Sequence, residues 1–150
     1  MVRWDEAFFV LVGIPVLLAG IGEILLGVTG GEFQLSIVTI SGTFLLWRGV
    51  ILVFAGGFYV HGALSGLDDR RSQAIVFMGS LMIWIVAGNE LLATVLGAIP
   101  GGPDVWFASG TAILTALGPP YSPAVVVLPL SFVAFTYTRG RVRALAGGVR

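Results

Sequence analysis

Apolar residues run along this chain in long stretches broken by short polar or glycine-rich segments. Three of these stretches, residues 8–28, 36–59 and 74–99, reach the roughly 20 mostly apolar residues that a helix needs to cross the ~30 Å hydrocarbon layer of a bilayer. A fourth, "YSPAVVVLPLSFVAFTYT" at 121–138, is barely long enough and carries Pro129. A membrane helix tolerates such a proline where neighbours or water satisfy the freed carbonyl, so this stretch reads as a kinked span. Between the third and fourth lies "PGGPDVWFASGTAILTALGPP", whose apolar part, 105–117, is too short to cross and is bracketed by glycine and proline. It predicts an interfacial or re-entrant helix over 104–118, with Asp104 capping its start and Trp106 and Phe107 at the headgroup boundary. The expected fold is an all-α integral membrane protein: one domain over 1–150, a four-transmembrane-helix bundle with a short extra helix between helices 3 and 4.

Orientation follows from the arginines, because short loops rich in Arg or Lys stay cytoplasmic. With four spans, Arg3, the Arg70–Arg71 pair and Arg139, Arg141, Arg143 and Arg150 of the tail at 139–150 all fall on one side, and the opposite loops carry only Glu32 and Asp104. Both termini are therefore expected in the cytoplasm, with the chain integral to the cell membrane. Asp5 and Glu6 dilute the positive region that a signal peptide would need, and no convincing small-x-small cleavage site follows. The first apolar stretch reads as a retained helix.

Composition agrees. Of 150 residues, 57% are hydrophobic and 11% charged, and the mean hydropathy is +0.99, far above that of an ordinary soluble domain. Eight basic residues balance eight acidic ones, which leaves no basic field to attract nucleic acid and no acidic tail to bind cations. The absence of cysteine excludes disulfides, thiolate metal sites, iron–sulfur clusters and redox-active thiols. His61 stands alone and makes no metal or haem site by itself, so no metal and no cofactor are expected. No Ser-His-Asp set, paired intramembrane aspartates or HExxH motif is present, and the chain is not expected to be an enzyme.

Glycine recurs at seven-residue steps: Gly13, Gly20 and Gly27 in the first span, Gly42, Gly49 and Gly56 in the second. Seven residues are nearly two helical turns, so each set forms one smooth stripe, and small residues let membrane helices approach closely. Tight antiparallel packing of the first two helices is the expectation; a pore or sliding seam is the other reading. The double glycines at 30–31, 56–57, 101–102 and 147–148 lack a strand-then-helix context and read as turns and helix ends. Trp47 and Trp84 lie deep in spans and read as packing.

Three ionisable residues fall inside the spans: Glu23, Arg48 and Glu90. At 1.5 Å per residue, Glu23 lies about 22 Å and Glu90 about 24 Å from the inner ends of their spans, with Arg48 roughly 6 Å lower, a gap an arginine stem covers. A charge near the bilayer centre costs at least ~2.5–3.5 kcal/mol on insertion scales, so such residues pair or work. The expectation is that Glu90 shares Arg48 with Glu23, with Asn89 adding a hydrogen bond across helices. Two acids and one base leave an uncompensated charge, so one carboxyl holds a proton or a cation enters. That is equipment for a proton relay or ion-coupled carrier, and equally for a polar clamp that fixes helix register. Around Glu90, Val86, Ala87, Ala93, Thr94 and Gly97 form a small-residue face that a partner helix can cover, opposite the bulkier Met78, Met82, Ile85, Leu92 and Leu96.

Two functions follow as expectations. The first is a structural or accessory subunit of a homo- or hetero-oligomeric membrane assembly, with the lipid bilayer, further copies or other membrane subunits as partners. The second is a small proton- or ion-coupled transporter or channel built on Glu23, Arg48 and Glu90. A bundle of four helices fills its own centre with side chains, so a solute path requires an oligomer or a partner.

Overall fold

The computed structural model of the chain describes residues 4–42, 44–99 and 106–135. The expected cap at Asp104, Arg3, the arginine tail and the end of the expected fourth span lie outside them. Helix α1, Trp4–Thr29, runs 26 residues, about 39 Å. It buries Phe9, Val12, Gly13, Val16, Gly20 and Glu23, a three-four spacing that keeps one stripe against its neighbours. It stops because Gly30 adopts φ +69 and Gly31 N–H returns to the Leu26 carbonyl at 3.0 Å, a C-terminal motif that satisfies a free carbonyl and needs a left-handed residue.

The chain then departs from the expected second span. Residues 36–40 are not helical: β1, Phe33–Leu35, pairs antiparallel with β2, Val38–Ile40, with Leu35 opposite Val38. Ser36 turns the corner at φ 44. Val38, Thr39 and Ile40 are β-branched and suit a pleated strand, and Gly42 at φ +117 lies outside helical space. Helix α2 therefore begins at Leu45 and ends at Leu64, 20 residues in all. It starts later than the hydropathy pattern implied and runs five residues further. After a turn at Gly66, α3 extends over Arg70–Ala98, 29 residues, or about 43 Å. Among the described residues these three helices are long and apolar enough to cross a membrane.

The expected interfacial helix is shorter than drawn: α4 covers only Gly110–Ala116, and the hydroxyl of Ser109 caps it by accepting from Ala112 N–H. Trp106 and Phe107 precede it and are exposed. The fourth apolar stretch forms α5, Pro123–Ser131, continuing as a 3-10 turn over Phe132–Ala134. Over the described residues that is twelve, roughly 18 Å, less than a crossing needs, and the apolar stretch runs on to residue 138 outside them. Pro123 at the first helical positions is preorganised for the helix start, whereas Pro129 removes an interior N–H, and the helix tightens three residues later.

The glycine stripes decide how α1 meets α2. A Cβ on Gly56 would sit 2.5 Å from Leu17 N, one on Gly20 2.6 Å from Val53 N, and one on Gly49 2.7 Å from the Gly20 carbonyl. These helices touch backbone to backbone. Gly13 faces Tyr59 and Gly56, and Gly27 faces Leu45 and Leu46 at the start of α2. The expected third member of the second stripe, Gly42, is absent from this contact: it precedes the helix and has nothing within 4 Å, because the hairpin displaced the helix start. In the core, Tyr59 packs on Phe9 at 5.4 Å between ring centroids and hydrogen-bonds Ser80 at 2.8 Å, tying α1, α2 and α3 together. Trp84 pins α5 to α3. Its Nε1–H donates to Ser131 Oγ at 2.6 Å, and its ring stacks on Phe132 and Phe135. Trp47 behaves otherwise than expected: as the third residue of α2 it points outward, 74% exposed.

Candidate functional site

The site is built where α1, α2, α3 and the start of α5 converge beside the hairpin. The Gly20–Gly49 contact brings the α1 and α2 backbones together beside Arg48 and one turn from Glu23, so the guanidinium reaches across without unwinding either helix. Arg48 Nε donates to Glu23 Oε2 at 2.8 Å, and Arg48 Nη1 donates to Glu90 Oε1. One guanidinium thus serves two carboxylates from two other helices, using its fixed fork of donors. The structure brings Glu23, Arg48 and Glu90 into one cluster; Asn89 is exposed and no hydrogen bond joins it to them among the described residues. A residue next to Glu90 is turned by about 100°, which leaves Asn89 exposed on the wall of a cavity it shares with Arg48 and Glu90.

Ser122 is the member that sequence reasoning missed. Its Oγ–H donates to Glu90 Oε2, while the same oxygen accepts from Val125 N–H at 3.4 Å as the N-cap of α5. Two features place it there. Pro123 starts α5 immediately after it, and Tyr121 is fastened to the hairpin, accepting from Thr39 N–H at 2.9 Å and donating to the Ile37 carbonyl at 2.7 Å. The Ser-Pro pair signals a helix start in the sequence, but nothing there says which side chain the cap will meet.

Burial is graded across the cluster. The Glu23 side chain is fully buried, whereas 15% of Arg48 and 21% of Glu90 are exposed. Two cavities flank the Arg48–Glu90 pair. One, of about 310 Å³, is lined by Thr39, Ser41, Thr94 and Ser122 besides the pair. The other, of about 460 Å³, opens towards Phe44, Trp47 and Asn89. Among the described residues two buried side-chain atoms have no hydrogen-bond partner, Glu23 Oε1 and Arg48 Nη2.

With every group ionised the cluster carries one net negative charge in an apolar surround. Such an arrangement can lock three helices and α5 in register, and it can take up a proton or small cation from the cavities. Among the described residues no three His, Cys, Asp or Glu side chains lie close enough to hold a metal ion. Compared with known protein families, with curated proteins and with solved structures, the chain finds no match.

Proposed function

We propose that the chain is a non-catalytic integral membrane protein, a four-span bundle with its arginine-bearing loop and termini in the cytoplasm, and that it works as a subunit of a larger assembly in the cell membrane. The observation that carries the assembly reading is the uncovered end of α3. Its first half is buried at Val76, Gly79, Ser80, Ile83, Val86 and Ala87, but Ala93, Thr94 and Gly97 beyond Glu90 are exposed, and a Cβ on Gly97 would meet nothing within 4 Å. A small-residue face of this kind is where membrane helices associate, since close backbone approach supplies the packing that lipid cannot. Further copies or another membrane subunit are the partners it fits. Nucleic acid is not.

Native mass measurement from membranes tests this. Oligomers or a co-purifying membrane subunit are expected, and Gly97→Leu should shift the distribution towards monomer. A monodisperse monomer that still moves an ion across liposomes would overturn the assembly reading. That outcome would promote the second one, a small proton- or ion-coupled transporter or channel, which is favoured by the two cavities beside Glu90.

A further inference from the structure

We infer that the cluster binds one proton, held on Oε1 of Glu23, and that Glu90 is the ionised partner of Arg48 at the cavity wall. The inference goes beyond both functional readings, because it applies to a static clamp as much as to a coupling site.

Charge comes first. Two carboxyls share one guanidinium, and among the described residues no further Asp, Glu, Arg or His side chain pairs with them, while Tyr121 lines the cavity beside Arg48 and Glu90. On α1, Asp5 and Glu6 lie at the other end of the helix, as do His61 on α2 and Arg70 and Arg71 on α3, while α5 carries no ionisable residue. Glu32, beyond the end of α1, is exposed.

Hydrogen bonds then distinguish the two acids. An ionised carboxylate only accepts, and both of its oxygens need donors when buried. Glu90 has them, from Arg48 Nη1 and from Ser122 Oγ. Ser122 Oγ–H donates to Glu90 Oε2, and Val125 N–H, which takes only one of the two lone pairs on Ser122 Oγ, leaves the hydroxyl proton free for that bond. Glu23 has a donor on Oε2 alone, and Oε1 is buried without one.

Solvation points the same way. A charged oxygen stranded away from water costs far more than a neutral one. Glu23 is 0% exposed, whereas Glu90 is 21% exposed and borders both cavities.

The guanidinium adds a fourth sign. Its Nε–H and Nη2–H form a side-by-side prong that an ionised carboxylate closes with two parallel bonds. Only the Nε bond to Glu23 is made, and the atoms left bare, Oε1 and Nη2, are the other half of that pair. A proton on Oε1 removes the charge that would draw Nη2 in.

The test uses the full chain in lipid bilayers at neutral pH, with infrared spectroscopy reading the C=O stretch of a protonated carboxyl and its shift in deuterated water. The wild type should show one such band. Glu23→Asp should move it, and Glu90→Asp should leave it in place. If Glu23→Asp does not fold, the Glu90→Asp spectrum still decides. Thermal unfolding gives an independent reading: Glu23→Gln, which mimics the neutral acid, should lower the midpoint less than Glu90→Gln, which forces charge onto the buried site. A band that moves in Glu90→Asp would overturn the assignment. So would a wild type with no protonated-carboxyl band, which would mean that a cation balances the cluster.

Discussion

Ser122 caps helix α5 and, through the same hydroxyl, donates to Glu90 on α3. The start of one helix and the only acid in the middle of another are thereby joined through one oxygen atom. The pairing depends on Tyr121 being fastened to the hairpin, so the small hairpin sets the position of a group that hydropathy places only at the start of the fourth apolar stretch.

Replacing Ser122 with Ala removes a cap and a donor to a carboxylate at once. The expected loss is about 1–3 kcal/mol, concentrated in α5. Backbone hydrogen exchange should rise across Pro123–Ser131 more than across α2, and equal protection in mutant and wild type would contradict the link.

Arg48→Ala should cost about 3–5 kcal/mol, because it strands an ionised carboxylate and a buried carboxyl in an apolar setting. Arg48→Lys should recover only part of this, since an ammonium lacks the fork that reaches two helices. Denaturation in mild detergent reads both, and full recovery by Lys would show that charge alone matters.

Alanine at Gly20 or Gly56 should destabilise by about 1–3 kcal/mol, the usual cost of overpacking, because a new Cβ would lie 2.6 Å and 2.5 Å from opposing backbone nitrogens. Gly22→Ala and Gly57→Ala are the controls on the same helices, with open space at both positions. If all four variants melt alike, the backbone contact is not what holds α1 to α2.

Cysteines placed at Ser65 and Ser109 flank α3 on either side. An impermeant thiol reagent should label them from opposite faces of the membrane, Ser109→Cys from outside the cell. Labelling of both from outside would refute the proposed topology.

Much of this protein is legible in one dimension. Length and apolar content alone determine that three helices can cross a bilayer, because a long apolar run has no other way to satisfy its backbone in lipid. The glycines at 13, 20, 49 and 56 announce a close contact, since regular spacing of residues without side chains produces a smooth surface wherever the helix forms. The same regularity misplaces Gly42. Whether 36–40 continues a helix or folds into a hairpin turns on a corner at Ser36 and on strand partners, one of them Tyr121, some eighty residues further on. Apolar β-branched residues satisfy either structure, and only the long-range pairing selects one. Depth along the helices puts Glu23, Arg48 and Glu90 within reach of each other, but depth says nothing about rotation. Helical phase leaves Asn89 exposed on a cavity wall, without a hydrogen bond to the cluster among the described residues, and turns Trp47 outward. Ser122 enters the cluster because two hydrogen bonds fasten Tyr121 to the hairpin and carry the start of α5 to Glu90. Hydropathy is a property of each residue and can be read singly, whereas a hydrogen bond between side chains from different helices exists only once the chain has packed.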